Sequence, residues 1–251
     1  MKILSIDVGI KNLAICIVDI QDKTHTIIDW AIINCAQDII DAELKCCVER
    51  KKGICEKTAV NKVIINKDSK TSKDTDPCYV GYCHLKTCQK ELIAKYTKKQ
   101  IKKVKKLNSN HISINVLAKI LYRELEKITG LNQIEMVLIE NQPVLKNPKM
   151  KSIQMIVFSY FLFEAECHSH PYEVKLFNAS KKLKAYDGPE IKTTKKKYAK
   201  RKFLSIEYTK YFIKKFKIDE KWRSVFSKAK KKDDLADCYL QALTYYHRYH
   251  S

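Results

Sequence analysis

Apolar residues cluster in three short runs at the start of the chain. Ile3–Val8 and Leu13–Val18 are rich in β-branched residues and are separated by Gly9-Ile10-Lys11-Asn12, which predicts two strands closed into a hairpin. Beyond the polar turn Gln21-Asp22-Lys23, Thr26–Asn34 predicts a third strand. The pattern then breaks over residues 36–106, where the polar run Asn66–Asp74 and the basic stretch Lys95–Lys106 leave no long apolar period; this segment reads as an insertion. Order resumes at Ile112, with Val116, Leu117, Ile120, Leu121, Leu125 and Ile128 at helical spacing and Gly130 as a stop signal. The nearly continuous apolar run Ile134–Glu140 predicts a strand covered on both faces, ended by Asn141-Gln142-Pro143. Met150–Glu166 predicts an apolar helix and Tyr172–Phe177 a fifth strand. A Lys-rich loop follows, then helices over Lys195–Lys215 and Asp233–His247. Three antiparallel strands followed by strands alternating with helices predict an α/β fold with a mixed five-stranded sheet, its core formed by residues 1–35 and 107–251.

Charge narrows the choice of partner. The 251 residues include 49 Lys plus Arg against 28 Asp plus Glu, a formal charge of +21, so an acidic partner is expected. Arginine is confined to Arg50, Arg123, Arg201, Arg223 and Arg248, and the lysines that dominate meet a phosphate backbone as point charges. At 45% hydrophobic the chain can build a core and is no disordered basic tail. Its most apolar stretch, Ile156–Ala165, is half the ~20 residues of a membrane span, and Asp7 interrupts the first apolar run. No membrane association and no signal peptide are therefore expected, and the protein is expected to act inside the cell.

Six of the ten cysteines crowd the insertion: Cys46, Cys47, Cys55, Cys78, Cys83 and Cys88. Without a secretion signal, structural Zn²⁺ is a better reading of such a crowd than a disulfide framework. The spacing suggests Cys47 with Cys55, and Cys83 with Cys88 or His84, as two ligand pairs, with Cys46 and Cys78 as competitors. Buried free thiols are the alternative.

The chemistry is suggested by acids in places where acids are costly. Asp7 ends the first strand just before Gly9, Glu140 ends the apolar run of another core strand, and Asp234 with Asp237 share one face of the last helix. Each has an ordinary reading as a turn, strand-end or helix-cap residue. Together, in so basic a chain, they suggest a carboxylate cluster that holds two Mg²⁺ ions ~3.5–4 Å apart at a phosphodiester.

Ile6-Asp7-Val8-Gly9-Ile10-Lys11-Asn12-Leu13-Ala14, Ile139-Glu140-Asn141-Gln142-Pro143 and Lys232-Asp233-Asp234-Leu235-Ala236-Asp237-Cys238 resemble the three acidic motifs of RuvC-like Holliday junction resolvases of the RNase H superfamily, in the poxvirus and large DNA virus branch. The resemblance spans residues 1–35 and 110–250. It implies an RNase H-like core, with Asp7, Glu140, Asp234 and Asp237 as ligands of two Mg²⁺ (Mn²⁺ as a substitute). It also implies a lysine near the metals, for which Lys182 is the best match in Asn178–Lys184. As a family property it implies a homodimer that makes paired, symmetric nicks in four-way and otherwise branched DNA during recombination and replication; for a viral protein this would occur in a cytoplasmic factory or the nucleus. Lys184, Lys195, Lys196, Lys197, Lys200, Arg201 and Lys202 are read as contacts to DNA phosphates, with Tyr198, Phe203, Ile206 and Phe212 facing inward. Rival readings are another RNase H-fold nuclease, acting on RNA–DNA hybrids or in integration, and a non-catalytic zinc-containing DNA-binding module.

Overall fold

The structure, a computed structural model, describes residues 1–21, 24–35, 44–51, 53–65, 78–104, 112–145, 147–167 and 172–249. The polar run Asn66–Asp74, residues Lys105 and Lys106 and the expected boundary at 106/107 lie outside the described residues. In chain order the elements are β1 (Lys2–Asp7), β2 (Leu13–Gln21), β3 (Thr24–Ile33), β4 (Glu49–Arg50), β5 (Gly53–Ile54), β6 (Asn61–Ile65), β7 (Cys78–Tyr82), α1 (Lys86–Lys95), β8 (Lys102–Lys103), α2 (Ile114–Leu125), β9 (Met136–Asn141), α3 (Pro148–Cys167), β10 (Glu173–Asn178), α4 (Lys197–Lys215), α5 (Glu220–Lys228) and α6 (Lys232–Tyr249). Short 3₁₀ segments cover Leu131–Gln133 and Ala179–Ala185. The chain divides into two units, Met1–Ala36 with Ile112–Ser251, and Gln37–His111.

The first unit is built on a mixed five-stranded sheet of order β10-β9-β1-β2-β3. β1, β2 and β3 run antiparallel as a meander, while β9 lies parallel to β1 and β10 parallel to β9. The turn out of β1 needs Gly9, because a Cβ there would lie 2.0 Å from the Asn12 carbonyl oxygen. Helix α2 starts at Ser113, whose side chain accepts from the Val116 N–H, and buries Leu117, Ile120, Leu121 and Leu125. Helix α3 buries Ile153, Val157, Tyr160 and Phe161 and leaves Met155, Leu162 and Phe163 exposed.

Helix α6 lies on the sheet with Leu235, Ala236, Tyr239, Leu240 and Leu243 buried. Two polar contacts fix it there. The Trp30 indole N–H donates to the Leu235 carbonyl at 3.0 Å while its ring stacks on Phe226, and Gln241 Nε2 donates to the carbonyls of Leu138 at 3.1 Å and Ile6 at 3.4 Å. Gln241 thereby ties the helix to both β1 and β9. Helix α5 has no counterpart in the sequence reading: six of its nine residues are charged or polar, yet Trp222 and Phe226, four apart, are both buried, and Asp219 caps it by accepting from the Lys221 N–H. Trp222 is thus a core residue.

In the second unit β6 pairs antiparallel with β7 and β8, β4 and β5 form a small hairpin, and Cys46 makes a bridge to Gly81. Gly81 is required at that bridge, since a Cβ would lie 2.4 Å from the Lys45 carbonyl oxygen. Helix α1 was not evident in the sequence because it buries only Cys88 and Leu92.

Candidate active site

The register of the central strands sets the first two acids side by side. β1 and β9 are parallel with Ile6 opposite Ile139, so the next residues, Asp7 and Glu140, emerge together at the ends of adjacent strands. Parallel pairing is what makes these ends coincide; antiparallel neighbours would send them to opposite edges of the sheet. Asp234 and Asp237, three apart on α6, approach from the helix that Gln241 holds over the same two strands.

Lys182, in the 3₁₀ segment after β10, stands at the centre of these carboxylates. Its Nζ lies 2.7 Å from Asp7 Oδ1, 3.1 Å from Glu140 Oε1 and 3.3 Å from Asp237 Oδ2, and it is 3% exposed. Asp234 lines the same cavity of about 320 Å³, together with Asp233, Gln142, Tyr198, Arg201 and Lys202. One ammonium serves several partly buried carboxylates, and negative charge is left in excess. Burial therefore dominates the Asp7 carboxyl and pushes it up to about 8 despite Lys182, with Glu140 adding to the rise. Burial, then the neighbouring Asp233 and Asp7, push Asp234 up to about 6, and burial raises Asp237. For Lys182, burial opposes the charge, but Asp7, Asp237 and Glu140 outweigh it and hold the ammonium well above the usual lysine range.

The donor set suits a hard divalent cation. It consists of carboxylate oxygens converging on one partly open cavity with more negative charge than Lys182 neutralises, the environment in which Mg²⁺ or Mn²⁺ is bound by carboxylates.

Supporting residues surround this cluster without having been singled out in the sequence. Gln142 Nε2 donates to Glu140 Oε2 at 2.6 Å, and the Gln142 backbone N–H donates to Gln154 Oε1 at 2.7 Å. Gln154 is fully buried; a lone glutamine on the apolar face of α3 was the available signal. Asp233 lines the cavity and pairs with Lys202.

The basic residues separate into two groups. Lys184, Lys195, Lys196, Lys197, Lys200 and Arg201 are exposed, and Arg201 Nη2 also donates to the Ala179 carbonyl at 2.9 Å. Lys202 is half-buried and bound to Asp233 at the cavity wall. The inward placement of Tyr198 is corrected: in the first turn of α4 it is 74% exposed and lines the cavity rim, whereas Phe212, about four turns on, is fully buried.

The cysteine pairing from spacing is also corrected. Sγ atoms of Cys46, Cys55, Cys83 and Cys88 lie within 4.8 Å of one another and could hold a metal ion. Cys46, not Cys47, joins the group because adjacent residues of an extended segment face opposite sides, and the bridge to Gly81 turns Cys46 inward while Cys47 is exposed. His84 is exposed as well.

Residues 3–164, more than half of the chain, match the family described as mitochondrial resolvase Ydc2 / RNA splicing MRS1. The uncharacterized protein L451 of Acanthamoeba polyphaga mimivirus is 30% identical over an alignment of 314 positions, gaps included, that covers 98% of this chain and 74% of that protein. The yeast mitochondrial Holliday junction resolvase Ydc2 superposes with a TM-score of 0.50 at 15% identity, covering 97% of this chain and 78% of its own. The fowlpox virus resolvase, solved with substrate Holliday junction DNA, gives a TM-score of 0.50 at 14% identity with both chains covered in full. At these identities the two structures share the fold. The match to the family model carries the assignment further: with its mixed five-stranded sheet, the chain belongs to the family of the mitochondrial resolvase Ydc2 and the RNA splicing protein MRS1.

Proposed function

We propose that this chain is a metal-dependent endonuclease that resolves four-way DNA junctions by paired, symmetric nicks. The observation that carries the reading is the convergence of Asp7, Glu140, Asp234 and Asp237 on one cavity whose rim is basic. The family description names an RNA splicing protein beside a resolvase, and the full carboxylate set favours cleavage over binding alone. Asp7, Glu140, Asp234 and Asp237 would hold Mg²⁺, with Mn²⁺ as a substitute. When bound there, Mg²⁺ supplies Lewis-acid chemistry at a phosphodiester, neutralising charge on the phosphate and making a water more acidic.

The chain's own residues do the rest. Gln142 orients Glu140, Lys182 balances the carboxylates and lies within the same cavity as an entering phosphate, and Arg201 with the exposed lysines of α4 steers the DNA backbone toward it. A buried ammonium beside the reacting phosphate stabilises the charge that develops in the transition state.

Two symmetric strands must be cut, so a homodimer is part of the proposal. The outward-facing Met155, Leu162 and Phe163 of α3 supply an apolar surface for self-association. Among the described residues no helix is long and apolar enough to cross a membrane. The viral relative suggests action where viral DNA is replicated.

The test is a substrate panel. Purified protein offered a four-way junction, a flap and an RNA–DNA hybrid in Mg²⁺ is expected to prefer the junction and cut opposing strands symmetrically, and Asp7→Asn to bind the junction without cutting. Equal cutting of all three substrates, or cleavage by Asp7→Asn, refutes the reading. Sedimentation of the free protein as a monomer at micromolar concentration would refute the dimer.

A further inference from the structure

Among the described residues of the second unit the apolar core is small. The buried members of its described cluster are Val48, Val63, Tyr82 and Leu92 with the thiols of Cys46, Cys83 and Cys88, so nearly half of them are cysteines, and Cys55, Val80, Leu85, Tyr96 and Ile101 pack against them partly buried. Small units with so few apolar residues need a staple. The four sulfurs sit where the local elements meet. Cys46 and Cys55 flank the β4–β5 hairpin, Cys83 follows β7, and Cys88 lies in the first turn of α1.

Their geometry distinguishes among staples. Cys55 Sγ lies 3.7 Å from Cys83 Sγ and 3.9 Å from Cys88 Sγ. A disulfide needs sulfurs about 2 Å apart. A tetrahedral zinc site with ~2.3 Å bonds places its thiolates about 3.8 Å apart. Hydrogen-bond donors also point at the sulfurs. The backbone N–H of Val48 is directed at Cys46 and that of Leu85 at Cys83, each two residues on, so the two ligand loops repeat one arrangement. Arg50 Nη2 donates to Cys88 Sγ at 3.1 Å and to Thr87 Oγ1 at 3.2 Å, giving the cluster a cationic neighbour. Amide and guanidinium donors to sulfur are the outer contacts that orient metal-bound thiolates and offset their charge.

We propose that Cys46, Cys55, Cys83 and Cys88 bind one structural zinc ion that ties the β4–β5 hairpin, β7 and α1 into a unit. All four positions are taken by sulfur, so the site is closed and takes no part in phosphodiester chemistry. The proposal is independent of the carboxylate cavity.

Metal analysis of the full-length protein, expressed with zinc and dialysed against a weak chelator, tests it. About one zinc per chain is expected. Cys55→Ser and Cys88→Ser should lose at least tenfold of that content, while Cys47→Ser and Asp7→Asn keep it. In case the ligand variants fail to fold, the wild-type chain and Cys47→Ser reconstituted with Co²⁺ should both show the sulfur-to-cobalt charge-transfer absorption of a tetrahedral thiolate site. A protein without zinc whose four thiols react freely, disulfides among these cysteines, iron in place of zinc, or zinc lost in Cys47→Ser or Asp7→Asn would each overturn the assignment.

Discussion

Lys182 Nζ and Asp7 Oδ1 lie 2.7 Å apart although 175 residues separate them in the chain, and this pair sits at the centre of the carboxylate cluster. A buried ammonium that faces three acids is both their counter-charge and a competitor of any cation they bind.

Lys182→Met removes that counter-charge. Breaking a buried ion pair costs on the order of 3 kcal/mol, toward the low end here because the Asp237 side chain is 34% exposed. The variant is expected to melt earlier than the wild type in a chelator and to recover more on addition of Mg²⁺, since divalent cations replace the missing charge. Cleavage should fall even at saturating Mg²⁺. Melting curves with and without Mg²⁺ check this; equal Mg²⁺ effects on the two proteins would contradict it.

The acids also set a pH dependence. Asp7 is pushed up to about 8 and Asp234 to about 6 from an ordinary value of 3.8, so between these limits the folded cluster holds more protons than the unfolded chain. Raised acids contribute stability that is complete below about pH 4 and lost as pH rises through about 6 and then 8. Metal-free protein should therefore lose stability from this site between mildly acidic and mildly alkaline pH, and Mg²⁺ should flatten the loss by favouring the ionised carboxylates. Unfolding with urea across that range, in chelator and in Mg²⁺, is the measurement. Identical slopes in the two series would exclude the linkage.

Gln142 touches Glu140 and not Lys182, so its removal should affect orientation more than charge. Gln142→Leu is expected to raise the Mg²⁺ concentration for half-maximal cleavage by about 10–100-fold, the usual cost of losing an outer contact to a metal ligand. Junction affinity should stay unchanged in the absence of Mg²⁺. A variant with wild-type Mg²⁺ dependence would assign Gln142 a purely local role.

The exposed and the paired cations of α4 should separate experimentally. Lys197→Ala and Lys200→Ala are expected to weaken junction binding and each lower the slope of log affinity against log salt by about 1. Lys202→Ala, which frees Asp233 at the cavity wall, should impair cleavage more than binding. A binding series over salt concentration, set beside cleavage rates, distinguishes the two effects.

What the sequence revealed depended on whether the signal was local. The strands carrying Asp7 and Glu140 were legible because each is an apolar run ended by an acid, and Asp234 with Asp237 because helical spacing places them on one face. Lys182 was recognisable only through the resemblance, since nothing in Lys181-Lys182-Leu183-Lys184 marks the one lysine that the 3₁₀ segment buries. The choice of Cys46 over Cys47 depends on a bridge to Gly81, 35 positions away, that no spacing rule contains. Tyr198 was assigned inward from its aromatic character, but it lies in the first turn of α4, where its ring lines the cavity rim beneath the Lys202 ammonium and stays exposed.

Asp234, Asp237 and Gln241 on α6 have a consequence for how the protein is made. Asp7 leaves the ribosome early, Glu140 near the middle, and Asp234, Asp237 and Gln241 only with the last helix. Contacts this distant in sequence form late and slowly. The basic residues Lys184–Lys202 also precede Asp234 and Asp237, so a nascent chain would carry them before the acids were assembled. It could meet nucleic acid during synthesis while still unable to cut it, so translation order itself would delay the nuclease until the whole fold was in place.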